Sequence, residues 1–402
     1  MRSLVLLGST GSIGESTLRV VAALPGVFRI TGLAAHSRVD RLIEQAVQFD
    51  VKTVAVADEA AARRAETLAT PHGIAVLHGE AGVCQLAAAD GVDTVLCALV
   101  GLAGLKPVLA AMEKGRDIAL ATKEVLVSAG ELVMRKRAER GMAILPVDSE
   151  HSAIFQSLQS AAFTPACVRR ADAPETACAE TRIDRLLLTA SGGPFANRPE
   201  IDFEQVTAEQ ALKHPRWSMG PKVTIDSATM MNKGLEILEA HWLFNIPVDR
   251  IDVLVHPQSI VHSLVTFTDG ATMAQLSPPD MRLPIQFALT WPDRLAVEMP
   301  RLDLAKQGRL TFGEPDMARF PCLRLAREAM AAGGTLPAVM NAADEIAVQA
   351  FLKGRIPFAG IARTIETVME AHDARSCRDL ETICEADAWA RRQAECVVEK
   401  GV

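Results

Sequence analysis

The chain has 402 residues, a formal net charge of −7, and 49% hydrophobic and 23% charged residues. A composition of this kind is typical of a globular protein with two or three domains and a core that needs no disulfides. The acidic balance argues against nucleic-acid binding, and no apolar run approaches the roughly 18 to 20 residues that cross a membrane.

The eight cysteines form no C-x-x-C pair, and the chain starts with Met1-Arg2 and runs directly into a strand-like segment, without the pattern of a signal or transit peptide. Both features favour reduced thiols and a cytoplasmic protein.

Residues 1–150 alternate short apolar segments with helical patterns, which predicts a parallel sheet covered by helices on both faces. We expect an α/β protein that begins with a doubly wound, Rossmann-like domain. The predicted strands are Leu4–Leu7, Ile30–Ala34, Thr53–Val56, Thr94–Ala98, Asp117–Ala119 and Ala143–Pro146.

A glycine loop, GSTGSIG at Gly8–Gly14, follows the first strand and opens a helix. Glycines there let backbone N–H groups approach a pyrophosphate at the helix N-terminus. A tight turn without a ligand remains the alternative. After the second strand, His36, Ser37 and Arg38 stand where an NAD site usually carries an acid. They favour the 2′-phosphate of NADPH, although a solvated loop is the other interpretation.

Acidic residues follow a later strand. Asp148 and Glu150 are two apart, and in an extended segment they would project from one face. With Glu236 they would suit Mg²⁺ or Mn²⁺, but a D-x-E pattern alone is weak and is usually solvated. Lys123 follows another strand, and either points into the same crevice or forms a surface ion pair.

Residues 151–290 have a different texture and predict an α+β catalytic domain. Residues 160–181 are polar and indicate a loop or insertion, and the stretch from the end of the next strand to Gly234 is interpreted as irregular. Asp269-Gly270, between Val261–Thr268 and Ala271–Leu276, predicts a hairpin.

Hydroxyl, amide and ammonium donors in this domain suit a phosphate; they are Ser191, Ser227, Asn232 and Lys233. A helix N-cap followed by solvated side chains is the alternative. The segment from His214 to Gly220 mixes Trp217 and Met219 with Gly and Pro, which favours a lid over a ligand. The alternative is that the side chains of Trp217 and Met219 fill a core.

Residues 291–320 are rich in Pro and Gly and predict a linker. Residues 321–402 predict a small helical bundle. Its helices are Cys322–Ala332, Leu336–Leu352, Phe358–His372 and Cys377–Val398.

Taken together, the segments resemble 1-deoxy-D-xylulose 5-phosphate reductoisomerase from the first strand to the helical end. The blocks that carry the resemblance are 8–14, 145–157, 188–195, 213–244, 255–263, 279–292 and 341–351. The resemblance implies a homodimer that converts 1-deoxy-D-xylulose 5-phosphate and NADPH to 2-C-methyl-D-erythritol 4-phosphate in isoprenoid precursor biosynthesis.

The resemblance also implies roles for single residues. The metal would be held by Asp148, Glu150 and Glu236. The substrate would meet Lys123, Ser149, Glu150, Ser191, His214, Ser227, Asn232, Lys233 and Glu236. NADPH would meet Thr10, Gly11, Ser12, Ile13, His36, Ser37, Thr122, Glu124 and Gly220. The lid would contain His214, Trp217 and Met219.

Two departures from the family pattern concern the cofactor. The family often has a Gly-basic-Asn step where this chain has Ala35-His36-Ser37, and an Asn where this chain has Thr122. Two rival functions remain open at this point. One is a metal-assisted NAD(P)-dependent dehydrogenase of another small phosphorylated polyol or hydroxy acid. The other is a non-catalytic NADPH sensor, which should have lost one of the metal carboxylates.

Overall fold

The computed structural model describes residues 1–161, 163–169, 181–196, 198–217 and 219–401. Half of the segment interpreted as an insertion, residues 170–180, therefore lies outside the described residues. Within the described part no helix combines the length and the apolar composition that a membrane span requires.

The N-terminal part contains a seven-stranded sheet whose neighbouring strands are all parallel. Its strands are β1 (Arg2–Leu7), β2 (Phe28–Ala35), β3 (Thr53–Val56), β4 (Ala75–His78), β5 (Thr94–Cys97), β6 (Asp117–Leu120) and β7 (Ile144–Pro146). The order β4-β3-β2-β1-β5-β6-β7 runs outward in both directions from β1. This confirms the doubly wound fold and places the topological switch between β1 and β5.

Helices connect these strands. They are α1 (Ser12–Ala23), α2 (Val39–Gln48), α3 (Glu59–Ala69), α4 (Gly79–Ala87), α5 (Leu105–Glu113) and α6 (Glu124–Arg140). Strand β4, at the sheet edge, was not predicted, although Ile74–Leu77 form a continuous apolar run. In the structure the residues of β4 are only partly buried.

A second sheet has four strands in the order β11-β10-β8-β9. They are β8 (Ile183–Ala190), β9 (Ile251–Val255), β10 (Val261–Phe267) and β11 (Thr272–Leu276). β10 pairs antiparallel with β8 and with β11, and β8 pairs parallel with β9. The predicted hairpin at Asp269-Gly270 is therefore confirmed.

Helices α7 (Ser149–Ser160), α8 (Ala208–Ala211), α9 (Pro221–Thr229), α10 (Met231–Phe244) and α11 (Arg282–Thr290) accompany this sheet. The interpretation of the stretch up to Gly234 as irregular was wrong, because α9 and the first turn of α10 lie within it. Met230 adopts a left-handed conformation (φ 62°) and separates the two helices. That break interrupts the apolar periodicity by which a helix is recognised from sequence.

The rest of the chain is helical after a largely irregular linker that contains α12 (Leu304–Gln307). The terminal helices are α13 (Pro321–Ala332), α14 (Leu336–Leu352), α15 (Phe358–Glu370) and α16 (Leu380–Lys400). α14 packs against α15 and α16, and α13 packs against α10. The predicted helical bundle is confirmed, with its helix ends within a few residues of the expected ones.

Candidate functional site

Three carboxylates meet at the edge of the large sheet where its strands end. Asp148 follows β7 and is the N-cap of α7, Glu150 lies in the first turn of that helix, and Glu236 lies on α10. Their side-chain oxygens lie within 4.8 Å of one another. The sequence-based reason for pairing Asp148 with Glu150 was wrong, since Glu150 is helical and not extended. The turn from strand to helix brings the two side chains together instead.

Two lysines lie among these acids. The Lys123 ammonium is 2.5 Å from Asp148 Oδ2 and 3.1 Å from Glu236 Oε1, and it donates to Asn232 Oδ1 at 3.0 Å. The Lys233 ammonium is 3.1 Å from Glu150 Oε1 and also binds Glu236. Lys123 therefore points into the crevice and is no surface ion pair. Lys233, predicted as a phosphate ligand, pairs here with two of the predicted metal ligands.

Burial and neighbouring charges shift the pKa values of the carboxyl groups at the site in opposite directions. Burial alone would raise the pKa of Asp148, but the charges of Lys123 and His151 hold that pKa below its usual value. Burial raises the pKa of Glu150 to about 8, and the neighbouring Glu236 carboxylate acts in the same direction. A divalent cation would favour the ionised form of every one of these acids.

A second group of possible metal ligands consists of Asp148, His151 and Glu239, and it shares Asp148 with the first group. His151 and Glu239 were not predicted from the sequence as ligands. His151 is fully buried, with Nδ1 3.2 Å from Glu239 Oε2 and Nε2 2.9 Å from the Glu236 carbonyl oxygen. Burial raises the pKa of Glu239 to about 7. The i, i+3 spacing of Glu236 and Glu239 on one helix is the sequence signal that could have identified the second acid.

Two of the predicted phosphate donors, Asn232 and Lys233, contact the acidic cluster or its lysine, and the other two, Ser191 and Ser227, both contact Gly193. His214 Nδ1 accepts from the backbone N–H groups of Arg216 and Trp217, so Nε2 carries the proton and donates to Ser191 Oγ at 2.9 Å. Gly193, with φ 61°, packs its backbone on the carbonyl of Ser227, where a Cβ would lie 2.6 Å from that oxygen. The turn after β8 and helix α9 thus meet through a contact that only glycine permits.

The segment predicted as a lid lies between α8 and α9. Trp217 and Met219 are half-buried, so neither fills the core. Arg216 Nε donates to the carbonyl oxygen of Pro257 at 3.2 Å, which holds the segment to the turn after β9. Burial lowers the pKa of His214.

The glycine loop occupies the switch point of the large sheet. A Cβ on Gly8 would lie 2.4 Å from the Ala98 carbonyl oxygen beyond β5, and one on Gly14 would lie 2.4 Å from the Gly8 carbonyl oxygen. The loop therefore packs as tightly as a dinucleotide-binding turn requires. Thr10 is buried, Gly11 and Ser12 are exposed and Ile13 is half-buried at the start of α1.

The remaining cofactor candidates are dispersed around this edge. His36 and Ser37 are exposed after β2, and the neighbouring Arg38 donates from Nη1 to the Thr10 carbonyl oxygen at 3.2 Å. Thr122 is buried and donates to the Leu99 carbonyl oxygen.

Two further candidates lie at helix starts. Glu124 is buried, with Oε1 3.7 Å from the Lys222 ammonium. Gly220 is exposed and is the N-cap of α9.

Models of known protein families match most of the chain. Residues 4–130 match "1-deoxy-D-xylulose 5-phosphate reductoisomerase", and residues 144–244 match the C-terminal domain of that family. Residues 276–393 match "DXP reductoisomerase C-terminal domain".

Curated relatives agree with these matches over the full length. The chain is 52% identical over 395 residues to 1-deoxy-D-xylulose 5-phosphate reductoisomerase of Chlorobium chlorochromatii, covering 98% of this chain and 99% of that protein. It is 50% identical over 398 residues to the protein of the same name from Moorella thermoacetica, covering 99% and 98%.

Solved structures resemble the fold as a whole. The enzyme from Zymomonas mobilis in complex with NADPH superposes with a TM-score of 0.88 at 39% identity, covering 99% of both chains. A DOX-P reductoisomerase in complex with NADPH, fosmidomycin and magnesium gives a TM-score of 0.92 at 39% identity, covering 99% and 98%.

Proposed function

This chain belongs to the 1-deoxy-D-xylulose 5-phosphate reductoisomerase family, and we propose that its acidic cluster is where the reaction of that family takes place. The reaction is the NADPH-dependent isomerisation and reduction of 1-deoxy-D-xylulose 5-phosphate to 2-C-methyl-D-erythritol 4-phosphate, with the help of a divalent metal. The observation that carries the proposal is the set Asp148, Glu150 and Glu236, whose oxygens lie within 4.8 Å of one another.

The cluster fits a hard divalent cation. Carboxylate oxygens are the ligands that Mg²⁺ and Mn²⁺ prefer, and open positions remain for water or substrate oxygens. When bound, such an ion supplies Lewis-acid polarisation of a ketone and a template for neighbouring oxygens. Asp148, Glu150 and Glu236 would hold the ion, in exchange for the ammonium groups that now contact them. Ser149, whose hydroxyl donates to Glu150, would orient that carboxylate.

The phosphate of the substrate would lie beside this cluster. Ser191 and His214, which are hydrogen-bonded to each other, would bind it from one side. Ser227 on α9 and Asn232 and Lys233 on α10 would bind it from the other. Hydroxyl, amide and ammonium donors bind phosphate oxygens well. Since the phosphate is remote from the reacting carbons, its binding energy would align the substrate and close the lid.

NADPH supplies the hydride, and the glycine loop would hold its pyrophosphate. Support comes from the place of the loop at the switch between β1 and β5, ahead of the N-terminus of α1. The exposed His36, Ser37 and Arg38 would meet the 2′-phosphate. Thr122, Glu124 and Gly220 would flank the nicotinamide end, because they lie beside Lys123 or at the start of α9.

We further propose that Trp217 and Met219 cover the bound substrate, as parts of a lid that starts at His214. Among the described residues, the Arg216–Pro257 and His214–Ser191 hydrogen bonds hold the segment. The partial burial of Trp217 and Met219 would let it close. The predicted domains divide this work. Residues 1–150 would bind NADPH, residues 151–290 would hold metal, substrate and lid, and 291–320 and 321–402 would be linker and supporting bundle.

The active protein would be a cytoplasmic homodimer. The strand β11 supports the dimer, because it forms one edge of the second sheet and its first residues, Thr272 to Ala274, are exposed. An exposed edge strand is a ready surface for pairing with a second copy.

Product analysis tests the proposed function against its nearest rival. A dehydrogenase of another phosphorylated polyol or hydroxy acid would share the glycine loop and the acids. It would not rearrange a carbon skeleton. The chain incubated with 1-deoxy-D-xylulose 5-phosphate, NADPH and Mg²⁺ should give the branched 2-C-methyl-D-erythritol 4-phosphate. A straight-chain alcohol as product would favour the rival.

A further inference from the structure

Helix α6, which begins directly after Lys123, is not continuous. Ala129 has φ −136° and ψ 23°, values outside the helical region, so the helix is kinked there. A kink of this kind has a local cause, such as a side chain that inserts into the helix. The first turn and a half of α6 therefore forms a short arm, with Lys123 at its free end and the kink at its base.

The side chain that packs against α6 beside this kink is Trp242 on α10. Gly130, the residue after the kink, lies directly under the five-membered ring of the indole. A Cβ at this position would lie 2.2 Å from Trp242 Nε1 and 2.3 Å from Cδ1 and Cε2. No carbon atom can occupy such a place, so glycine is the residue that lets the two helices approach this closely.

Helices α6 and α10 touch at both ends of this arm. At one end the Lys123 ammonium contacts Glu236 Oε1 at 3.1 Å and Asn232 Oδ1 at 3.0 Å. At the other end Trp242 lies on Gly130. Trp242 and Glu236 are six residues apart on α10, about 9 Å along its axis. Helix α10 thus carries both Trp242, which packs beside the kink, and Glu236, which Lys123 contacts.

We propose that Gly130 and Trp242 are positioning residues, which fix the kink of α6 and thereby hold the Lys123 ammonium among the site carboxylates. Neither Gly130 nor Trp242 is among the residues that would touch metal, substrate or cofactor. Their effect on turnover passes through Lys123, so this inference rests on the proposed function of the site.

The test uses Gly130→Ala, Trp242→Leu and the double variant. Gly130→Ala forces the two helices apart, and a misplacement of about 1 Å can cost about a hundredfold in rate. We expect kcat to fall by about that factor, with the KM for NADPH little changed. Mg²⁺ should bind more tightly by calorimetry, because a displaced Lys123 ammonium competes less for Asp148 and Glu236. Trp242→Leu removes the indole and should also lower kcat and raise Mg²⁺ affinity. The double variant should show no larger change than the more affected single variant, because both substitutions act on one contact.

A matched control is Gly82→Ala on α4. That glycine is also buried and helical, and a Cβ there would lie 2.7 Å from the backbone of Leu77. Gly82→Ala should lower Tm and leave kcat and Mg²⁺ affinity unchanged. If Gly130→Ala does not fold, Trp242→Phe, which removes the five-membered ring that lies on Gly130, should still lower kcat and raise Mg²⁺ affinity.

The inference is overturned if a folded Gly130→Ala keeps its kcat and Mg²⁺ affinity, if the losses in kcat of the two single variants add in the double variant, or if Trp242→Phe leaves both kcat and Mg²⁺ affinity unchanged. A wild-type chain without turnover of the xylulose phosphate would overturn the proposed function instead.

Discussion

The ammonium group of Lys123 lies 2.5 Å from Asp148 Oδ2, although the two residues follow different strands of the large sheet. Both strands end at the same edge, because β6 and β7 are parallel neighbours. The pair shows how an α/β sheet collects distant polar residues into one crevice. A metal ion bound to Asp148 would therefore replace the Lys123 ammonium group at that carboxylate.

The first prediction concerns the metal ligands. Asp148→Asn and Glu236→Gln should each fold normally but lose most turnover, because an amide replaces an anionic metal ligand. Calorimetry with Mg²⁺ and steady-state kinetics measure the two effects. Glu113→Gln, at an exposed carboxylate paired with Lys136 and Arg140, is the control and should behave as wild type. Full activity of Asp148→Asn would remove this residue from the metal site.

The second prediction concerns cofactor choice. Arg38→Met should reduce the preference for NADPH over NADH by about ten- to a hundredfold, the range expected for a lost charged hydrogen bond of about 1.5–3 kcal/mol. The ratio of kcat/KM for the two cofactors measures this. Arg64→Met, an exposed arginine paired with Asp40, should leave the ratio unchanged. A ratio near one in the wild type would contradict the assignment of this loop.

The third prediction concerns the lid. Hydrogen exchange in residues 210–222 should slow when NADPH and a substrate analogue bind together, because closure would bury backbone that is now exposed. Trp217→Ala should raise the KM for the substrate and leave the KM for NADPH nearly unchanged. Exchange that is equally slow with and without ligands would mean that the segment is fixed packing.

The fourth prediction decides the role of Lys233. If it binds phosphate, Lys233→Ala should weaken capture of the phosphorylated substrate by about ten- to a hundredfold, and an unphosphorylated substrate should react no worse than with wild type. In the structure Lys233 contacts Glu150 and Glu236. An equal loss with both substrates would therefore assign Lys233 to the metal carboxylates and not to the phosphate.

The fifth prediction concerns pH and stability in excess chelator. The pKa of Glu150 rises from 4.5 to about 8 on folding, and that of Glu239 rises to about 7. Such groups bind protons more tightly in the folded chain, so the free energy of unfolding should fall as pH rises from about 6.5 to 8. The slope is at most about 1.4 kcal/mol per pH unit and per group.

That window avoids His262, whose pKa burial lowers from 6.5 to about 4 and which therefore acts in the opposite sense below 6.5. Denaturant unfolding at several pH values measures the slope. Glu150→Gln should flatten it, and an unchanged slope in that variant would assign the effect to other buried acids.

Much of this fold could be predicted from the sequence, because the informative patterns are local. In the strand Thr53–Val56 every residue but Ala55 is β-branched and every residue but Thr53 is apolar. The bounds of this strand were predicted without error. The glycine loop was recognised because steric limits restrict which residues fit a turn packed against a neighbouring strand. The hairpin at Asp269-Gly270 was recognised from its turn chemistry.

Features that depend on contacts between distant residues could not be predicted in this way. The pairing of Lys233 with Glu150 joins α10 to α7, and the close approach of Trp242 to Gly130, beside the kink at Ala129, joins α10 to α6. Asp148 and Glu150 were associated for a wrong reason, because a carboxylate at a helix N-cap and one at the end of a strand have the same sequence pattern. Glu239 was missed although it lies i, i+3 from Glu236, because its contact with the buried His151 joins residues that are far apart in the chain.

One assay tests the central claim most directly. The purified chain is mixed with 1-deoxy-D-xylulose 5-phosphate and NADPH, in excess EDTA and after addition of Mg²⁺, while NADPH oxidation and product are followed together. We expect no oxidation with EDTA, and with Mg²⁺ one molecule of 2-C-methyl-D-erythritol 4-phosphate for each NADPH consumed. Oxidation that continues unchanged in EDTA after removal of bound metal, or that yields no branched product, would contradict the account.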